Sequence, residues 1–162
     1  MESLPDLNII SNTKIELDRD VMFKNFSFFK PVGLWVGLKD SWYNYWYLTE
    51  QMDTIEDKYI YKVSLVSDSY TNVKRYRAGK YDKKILIVED LEDVEYITRE
   101  YSVKGEDSLF VDWSKFSKRY AGIELRNYNH KFIKNNLWYS TFDASSLCVW
   151  DLNLVKSLNL QH

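Results

Sequence analysis

Two periodic patterns of apolar residues predict most of the secondary structure of this chain. Residues 59 to 66 alternate between outward polar and inward apolar positions, which predicts a half-buried strand. Leu91, Val94, Ile97 and Tyr101 recur at helical spacing behind Asp90, so the pattern predicts a helix with Asp90 as its N-cap.

Shorter apolar runs predict the remaining elements. A first strand or strand pair is expected around Ile9, Ile10, Ile15 and Leu17, and further strands are expected at residues 33 to 38, 84 to 88, 121 to 125, 137 to 142 and 147 to 150. One helix is predicted from an N-cap at Asp40 or Ser41 to about Met52, and a short one from Asp112 to Tyr120. Residues 67 to 83 form a polar connection, and a short Leu-rich tail ends the sequence.

These elements predict one α+β domain over residues 1–162. Strands outnumber helices, and the helices are too few for strict alternation with parallel strands. We therefore expect a mostly antiparallel, split β-sheet flanked by two or three helices. A chain of 162 residues without a repeat or linker-like stretch is the right length for one continuous core.

Charge and hydropathy narrow the classes of partner. The formal net charge of −2 gives no basis for general binding to nucleic acid or to an anionic membrane. No apolar run approaches the roughly 18 residues of a membrane span, and the acidic N-terminus has no leader pattern. Cys148 is the only cysteine, which favours a reducing compartment. A cytoplasmic location is expected.

Several kinds of catalytic site are excluded by residue type. The two histidines, His130 and His162, and one cysteine cannot supply a zinc ligand set. The same scarcity excludes a hydrolytic triad, and Cys148 lies within an apolar run that predicts a buried, inert thiol. Five glycines are scattered singly, so no Gly-rich phosphate loop is present.

Three aromatic-rich blocks remain as the feature that points to function. They hold all six tryptophans of the chain, and polar residues lie among the aromatic ones. The blocks are Lys30 to Trp46, Asp112 to Glu124 and Trp138 to Trp150. This distribution predicts three segments that meet around one aromatic-lined cleft, in which Gly33 and Gly122 would let the backbone approach a flat ligand.

The motifs in these blocks resemble the ADP-ribosyltransferase-like fold family. The chain carries Lys-Pro-x-Gly-Leu-Trp at residues 30 to 35, Tyr-x-Gly-Ile at 120 to 123, and Trp-Tyr-x-x-x-Asp-x-x-Ser-x-x-x-Trp at 138 to 150. The resemblance spans roughly residues 28 to 155 and is closest to divergent viral and bacterial branches. It implies a protein that binds NAD and transfers ADP-ribose to a target with loss of nicotinamide.

The resemblance also implies roles for individual residues. Asp143, at the Trp-Tyr-x-x-x-Asp position, would be the catalytic carboxylate that stabilises an oxocarbenium-like transition state, and Glu124, which follows Gly122-Ile123, is the other candidate. Lys30 or Lys14 would contact phosphate, and the aromatic residues would hold nicotinamide. The full cofactor-binding set is Lys30, Gly33, Leu34, Trp35, Trp42, Trp46, Ser11, Asn12 and Ser145. The chain departs from the family pattern on its first strand, which has no Arg or His, and at Gly37, where a serine is expected.

Two other functions fit the same sequence. A viral or phage accessory protein without catalysis would bind a host protein through a surface rich in tyrosine, of which the chain has 13. A nucleotide-binding module would use the aromatic cleft to sequester or sense an NAD-derived signal and release it unchanged.

Overall fold

The computed structural model describes residues 4–48, 55–77, 83–105 and 107–161. Its strands are β1 (Leu7–Ser11), β2 (Ser27–Phe28), β3 (Leu34–Leu38), β4 (Tyr59–Leu65), β5 (Tyr70–Thr71), β6 (Ile85–Val88), β7 (Val111–Asp112), β8 (Gly122–Leu125), β9 (Ser146–Val149) and β10 (Val155–Leu160). Its helices are α1 (Ser41–Leu48), α2 (Val73–Arg77), α3 (Leu91–Tyr101), α4 (Trp113–Ser117) and α5 (Leu137–Ser140). Short 3₁₀ helices cover Ile55–Asp57, His130–Phe132 and Leu152–Leu154.

Eight of the strands form one sheet in the order β10-β4-β1-β3-β9-β8-β6-β5, and β2 pairs with β7 in a separate ribbon. Within the large sheet β5, β6 and β8 are parallel, and the other five pairings are antiparallel. The α+β class is therefore confirmed in its general form. The sheet is mixed, and its eight strands are hydrogen-bonded in one continuous series instead of being split.

The strongest sequence patterns are confirmed. Asp90 accepts a hydrogen bond from the Asp93 N–H at 2.9 Å, and it caps α3 as the spacing predicts. Asp112 caps α4 in the same way through the Lys115 N–H at 3.0 Å. The strands predicted from residues 33, 59, 84, 121 and 147 are β3, β4, β6, β8 and β9.

Other predictions are wrong. Residues 137 to 140 are helix α5 and not a strand, because a short apolar run fits either element and here the Thr141 N–H returns to the Trp138 carbonyl at 3.1 Å. The polar connection contains β5 and α2, and the Leu-rich tail forms β10. The first strand ends at Ser11. The predicted end of α1 near Met52 lies outside the described residues.

The sheet has a buried face on each side. Helices α3, α4 and α5 cover one face, where Leu86, Ile123, Leu125 and Cys148 belong to a core rich in aromatic side chains. Neighbouring positions on the same strands point the other way. Val36, Ile85, Leu147 and Val149 therefore form a second, aliphatic core with Val63, Leu152 and Val155.

Strand directions bring several chain segments to one edge of the sheet. Parallel strands β6 and β8 end there, at Val88 and Leu125. Strands β3 and β8 are both antiparallel to β9, which lies between them, so β3 also ends at this edge. For the same reason β1 and β9 begin there, and α1 begins three residues after β3 ends. We call this side of the sheet the carboxyl edge. Among the described residues, no helix is long and apolar enough to cross a membrane.

Candidate functional site

A cavity of about 430 Å³ opens at the carboxyl edge, and we call it the edge cavity. Sites for small ligands in open sheets of this kind commonly lie outside the carboxyl ends of parallel strands, where the strand order changes direction. The walls of the edge cavity come from five separate segments of the chain, and the lining residues are Asp6, Leu7, Leu38, Lys39, Ser41, Tyr70, Glu124, Arg126, Asn127 and Ser145.

Glu124 is the buried carboxylate of the edge cavity. It lies on β8 with only 2% of its surface exposed. Its Oε1 accepts a hydrogen bond from the Tyr70 hydroxyl at 2.6 Å, and its Oε2 accepts one from Arg126 Nε. Since both oxygens are held, the carboxylate has a fixed orientation on the cavity wall.

Arg126 is the first residue after β8, and three contacts fix it in addition to its hydrogen bond with Glu124. Its N–H donates to the Val88 carbonyl at 2.9 Å, which anchors the backbone to the end of β6. Its guanidinium lies 5.1 Å from the centre of the Tyr70 ring and 3.5 Å from a Glu89 oxygen. The guanidinium is therefore fixed beside Glu124. Because this planar group has N–H donors on several sides, it can still donate hydrogen bonds to a ligand.

The phenol of Tyr70 completes the network. Burial, together with the neighbouring Glu124 carboxylate, raises the pKa of Tyr70 well above its ordinary value. The hydroxyl therefore stays protonated at neutral pH and acts as a donor to Glu124.

The opposite wall of the edge cavity is set by the turn between β3 and α1. Lys39 has a φ of 50°, and its N–H donates to the Asp6 carbonyl at 2.8 Å. Buried Asn8 donates to the Lys39 carbonyl at 2.7 Å. Ser41 donates to the Ser145 carbonyl at 2.7 Å. The lining of the edge cavity thus includes two cations, Lys39 and Arg126, and two anions, Asp6 and Glu124. Ser41 and Ser145 add hydroxyl groups to it.

The three aromatic blocks do not share one cleft: Trp113, Trp138 and Trp150 lie in the buried core. The tryptophans of the first block line a cavity, which is much smaller than the edge cavity. Trp35, Trp42 and Trp46 line a cavity of about 80 Å³ together with Asn8, Ile9, Ile10, Val36 and Gly37. The rings of Trp42 and Trp46 lie 5.3 Å apart, and Trp42 Nε1 donates to Ser146 at 2.8 Å. Gly37 packs against this cluster, and a Cβ atom at this position would lie 2.8 Å from the Trp42 ring. A cavity of this size has room for one or two waters and not for a dinucleotide.

Asp143 lies in a different group from Glu124. It occupies the turn before β9 with a φ of 64° and is not among the residues that line the edge cavity. Burial raises the pKa of Asp143, and the Lys30 ammonium partly offsets this rise. Lys30 Nζ also lies 5.7 Å from the centre of the Trp35 ring. Lys30, Trp35 and Asp143 therefore form a second polar and aromatic group, on the face of the sheet that the helices cover.

Ser11 and Asn12 lie away from the edge cavity. Strand β1 begins at the carboxyl edge, so these residues, at its other end, are about 13 Å away at 3.3 Å per residue. Asn12 accepts a hydrogen bond from Lys58, and Lys14 Nζ lies 6.0 Å from the Tyr59 ring. Of the predicted cofactor-binding set, only Ser145 lines the edge cavity.

Gly33 and Leu34 serve the packing of the sheet. A Cβ atom at Gly33 would lie 2.7 Å from the Val149 carbonyl oxygen, and one at Gly122 would lie 2.6 Å from the Cys148 carbonyl oxygen. Both glycines thus admit the backbone of β9 and not a flat ligand. Leu34 packs against the aliphatic core.

No family model, curated protein or solved structure matches this chain. Among the described residues there is also no group of three or more His, Cys, Asp or Glu side chains that could hold a metal ion.

The sequence favoured Asp143 as the catalytic carboxylate, with Glu124 as the other candidate, and did not predict the partners of Glu124. Tyr70 lies 54 residues away in the sequence, within a segment that was interpreted as a polar connection. Arg126 had a detectable signal, because residues two apart in a strand share a face and Glu-x-Arg follows the apolar run of β8 directly.

Proposed function

We propose that the protein binds NAD or a related nucleotide in the edge cavity, with Glu124 as the carboxylate that faces the ribose. The observation that supports this most is the Glu124 carboxylate itself, which is buried, oriented by Tyr70 and Arg126, and placed on the wall of the edge cavity. A volume of about 430 Å³ lies within the range of small-molecule sites.

The charges of the cavity suit a ligand that carries both signs. NAD has a cationic nicotinamide ring and an anionic diphosphate. In this proposal Lys39 and Arg126 face the diphosphate, and Ser41 and Ser145 offer hydrogen bonds to ribose hydroxyls.

The proposed reaction is transfer of ADP-ribose, as the family resemblance implies. The bond between ribose C1′ and the nicotinamide nitrogen breaks, and its electron pair leaves with neutral nicotinamide. Positive charge then develops on the ribose, where the fixed Glu124 carboxylate stabilises it. A nucleophile of the acceptor, or water, bonds to C1′ and loses its proton.

Calorimetric titration with NAD and an assay of nicotinamide release test the proposal in the same samples. We expect saturable binding and slow release, with water as the acceptor. Glu124→Gln keeps the shape of the side chain and an oxygen for Tyr70 or Arg126, so the protein should stay folded. Release should fall by about 100-fold or more, as when an electrostatic stabiliser is removed from an active site.

Asp143→Asn is the matched control, because it neutralises the other candidate carboxylate. Its release rate should stay within a few-fold of wild type. Loss of release in Asp143→Asn with retention in Glu124→Gln would overturn the role given to Glu124. Binding without release in the wild type would replace transfer by sensing or sequestration, and no binding at millimolar NAD would reject the proposal.

A further inference from the structure

One segment of the chain carries most of the exposed large apolar side chains among the described residues. Among the described residues, five of the eight exposed large apolar side chains come from residues 21 to 32. They are Val21, Met22, Phe26, Phe28 and Val32, and we call them the apolar segment. Met22 is 90% exposed and Phe26 53% exposed. Scattered apolar residues on a surface are ordinary, but a concentration of them marks an interaction site.

Hydrogen bonds anchor the apolar segment on both sides of Phe26 and Phe28. Asn25 is buried, and its side chain both accepts from the Val32 N–H at 2.8 Å and donates to the Val32 carbonyl at 3.2 Å. Thr141 donates to the Phe29 carbonyl at 2.9 Å. The exposure of Phe26 and Phe28 is thus built into the fold, and a surface ordered in advance loses little entropy on binding.

Strand β2 lies at the centre of the segment, and among the described residues it pairs only with β7, so no other strand covers its second edge. The Trp113 N–H donates to the Phe26 carbonyl at 3.2 Å, and Phe28 lies opposite Val111. Hydrogen-bonded pairs alternate along an antiparallel ribbon, so the N–H and carbonyl of Ser27 point away from β7. Phe26 and Phe28 lie on one side of this strand, two residues apart. An extended peptide could pair with Ser27 and contact both rings.

The charge of the apolar segment distinguishes between the kinds of partner that could bind this surface. Lys24 is exposed, and its Nζ lies 5.6 Å from the centre of the Phe26 ring. Lys30, the other charged residue between positions 21 and 32, already lies near Asp143. A second copy would bring two Lys24 ammonium groups together with no carboxylate from residues 21 to 32, which is unfavourable. Lipid would leave the Ser27 backbone groups without hydrogen bonds. An extended peptide with acidic side chains would compensate the lysine charge and would also form hydrogen bonds with the Ser27 backbone.

We infer that the apolar segment docks an extended segment of another protein in which apolar residues alternate and acidic residues flank them. This surface is separate from the edge cavity, so the inference does not depend on the proposed nucleotide function.

Selection from a displayed library of random peptides against the folded, full-length protein tests the inference. We expect enriched peptides to carry alternating apolar residues and at least one acidic residue. Phe26→Ser should weaken their binding by about tenfold, as for a central aromatic contact. Lys24→Glu should weaken it as well, through charge repulsion. Leu160→Ser is the matched control, since Leu160 is 49% exposed on β10, and it should leave binding unchanged.

The alternatives give different results. Enriched peptides that bind Phe26→Ser as well as wild type, or that carry basic residues, would overturn the inference. So would the absence of any enrichment. Sedimentation with vesicles containing phosphatidylserine, lost in Phe26→Ser and without peptide enrichment, would assign the surface to a membrane instead.

Discussion

At the scale of single residues, two buried tryptophans differ in whether the indole N–H has a hydrogen-bond partner. Trp113 and Trp138 are both fully buried, and their rings contact edge to face at 5.9 Å. Trp138 Nε1 donates to Thr98 at 2.8 Å. Trp113 Nε1 has no hydrogen-bond partner among the described residues. A buried donor without a partner carries its desolvation penalty uncompensated.

This difference predicts unequal effects for the same substitution. Trp138→Phe and Trp113→Phe remove similar volumes, but only Trp138→Phe breaks a hydrogen bond. We expect Trp138→Phe to lower the free energy of unfolding by about 1 to 2 kcal/mol more than Trp113→Phe does. Urea unfolding of both variants gives the comparison. An equal or larger loss for Trp113→Phe would show that packing outweighs the hydrogen bond.

At the scale of elements, the joint between β8 and β9 depends on a close backbone approach. Gly122→Ala places a Cβ atom 2.6 Å from a backbone oxygen of β9 and 3.2 Å from Ile85 on β6. Strands on both sides prevent β8 from moving, so the substitution should cost about 3 kcal/mol, at the upper end of overpacking effects.

Gly37→Ala is the comparison for this prediction. Its nearest neighbour is the side chain of Trp42, which can rotate, so we expect a smaller loss of stability and a change in tryptophan fluorescence. Urea unfolding curves of Gly122→Ala and Gly37→Ala give the two losses in free energy of unfolding for comparison. A greater loss in Gly37→Ala would contradict the rigid joint at β8.

Local signals account for the elements that the sequence predicted correctly. Alternation defines β4, and side-chain caps at Asp90 and Asp112 define the starts of α3 and α4. The error at residues 137 to 142 has the opposite origin, because its apolar run has no period long enough to separate helix from strand. Residues 70 to 77 were missed because β5 has two residues and α2 five, too few for a pattern.

The candidate site depends on contacts that no local signal encodes. Glu124 was selected from its place after Gly122 and Ile123, and its burial follows from β8 lying between β6 and β9. The pairing with Tyr70 needs the parallel register of β5 with β6, which links residues far apart in sequence. The separation of Ser11 from Ser145 is likewise a result of strand direction.

At the scale of the whole molecule, buried phenols make the fold sensitive to alkali. Burial raises the pKa of Tyr128 to about 12, with Tyr139 and Asp143 adding to the effect. Burial also raises the pKa values of Tyr70, Tyr101, Tyr120 and Tyr139. The folded state therefore keeps protons that the unfolded chain releases near its ordinary pKa of about 10.

The sign of this linkage predicts an alkaline transition. The stability from neutral buried phenols is complete below about pH 10 and declines as the pH rises from there towards 12. Phenolate absorbance and circular dichroism should be followed together. Some of the 13 tyrosines should ionise while the fold persists, and the rest only as it is lost. Full ionisation in the folded state would contradict this account.

The place of β9 in the sheet has a consequence for synthesis. Strand β9, at residues 146 to 149, lies between β3 and β8 and joins them. A nascent chain that has reached residue 125 already contains β1, β3, β4, β6 and β8, but the strand that unites them has not yet been translated. The ribosome therefore carries two unjoined parts with apolar edges, and the sheet closes only after most of the chain has emerged. Until that moment the unpaired strand edges of both parts are open to pairing with other chains.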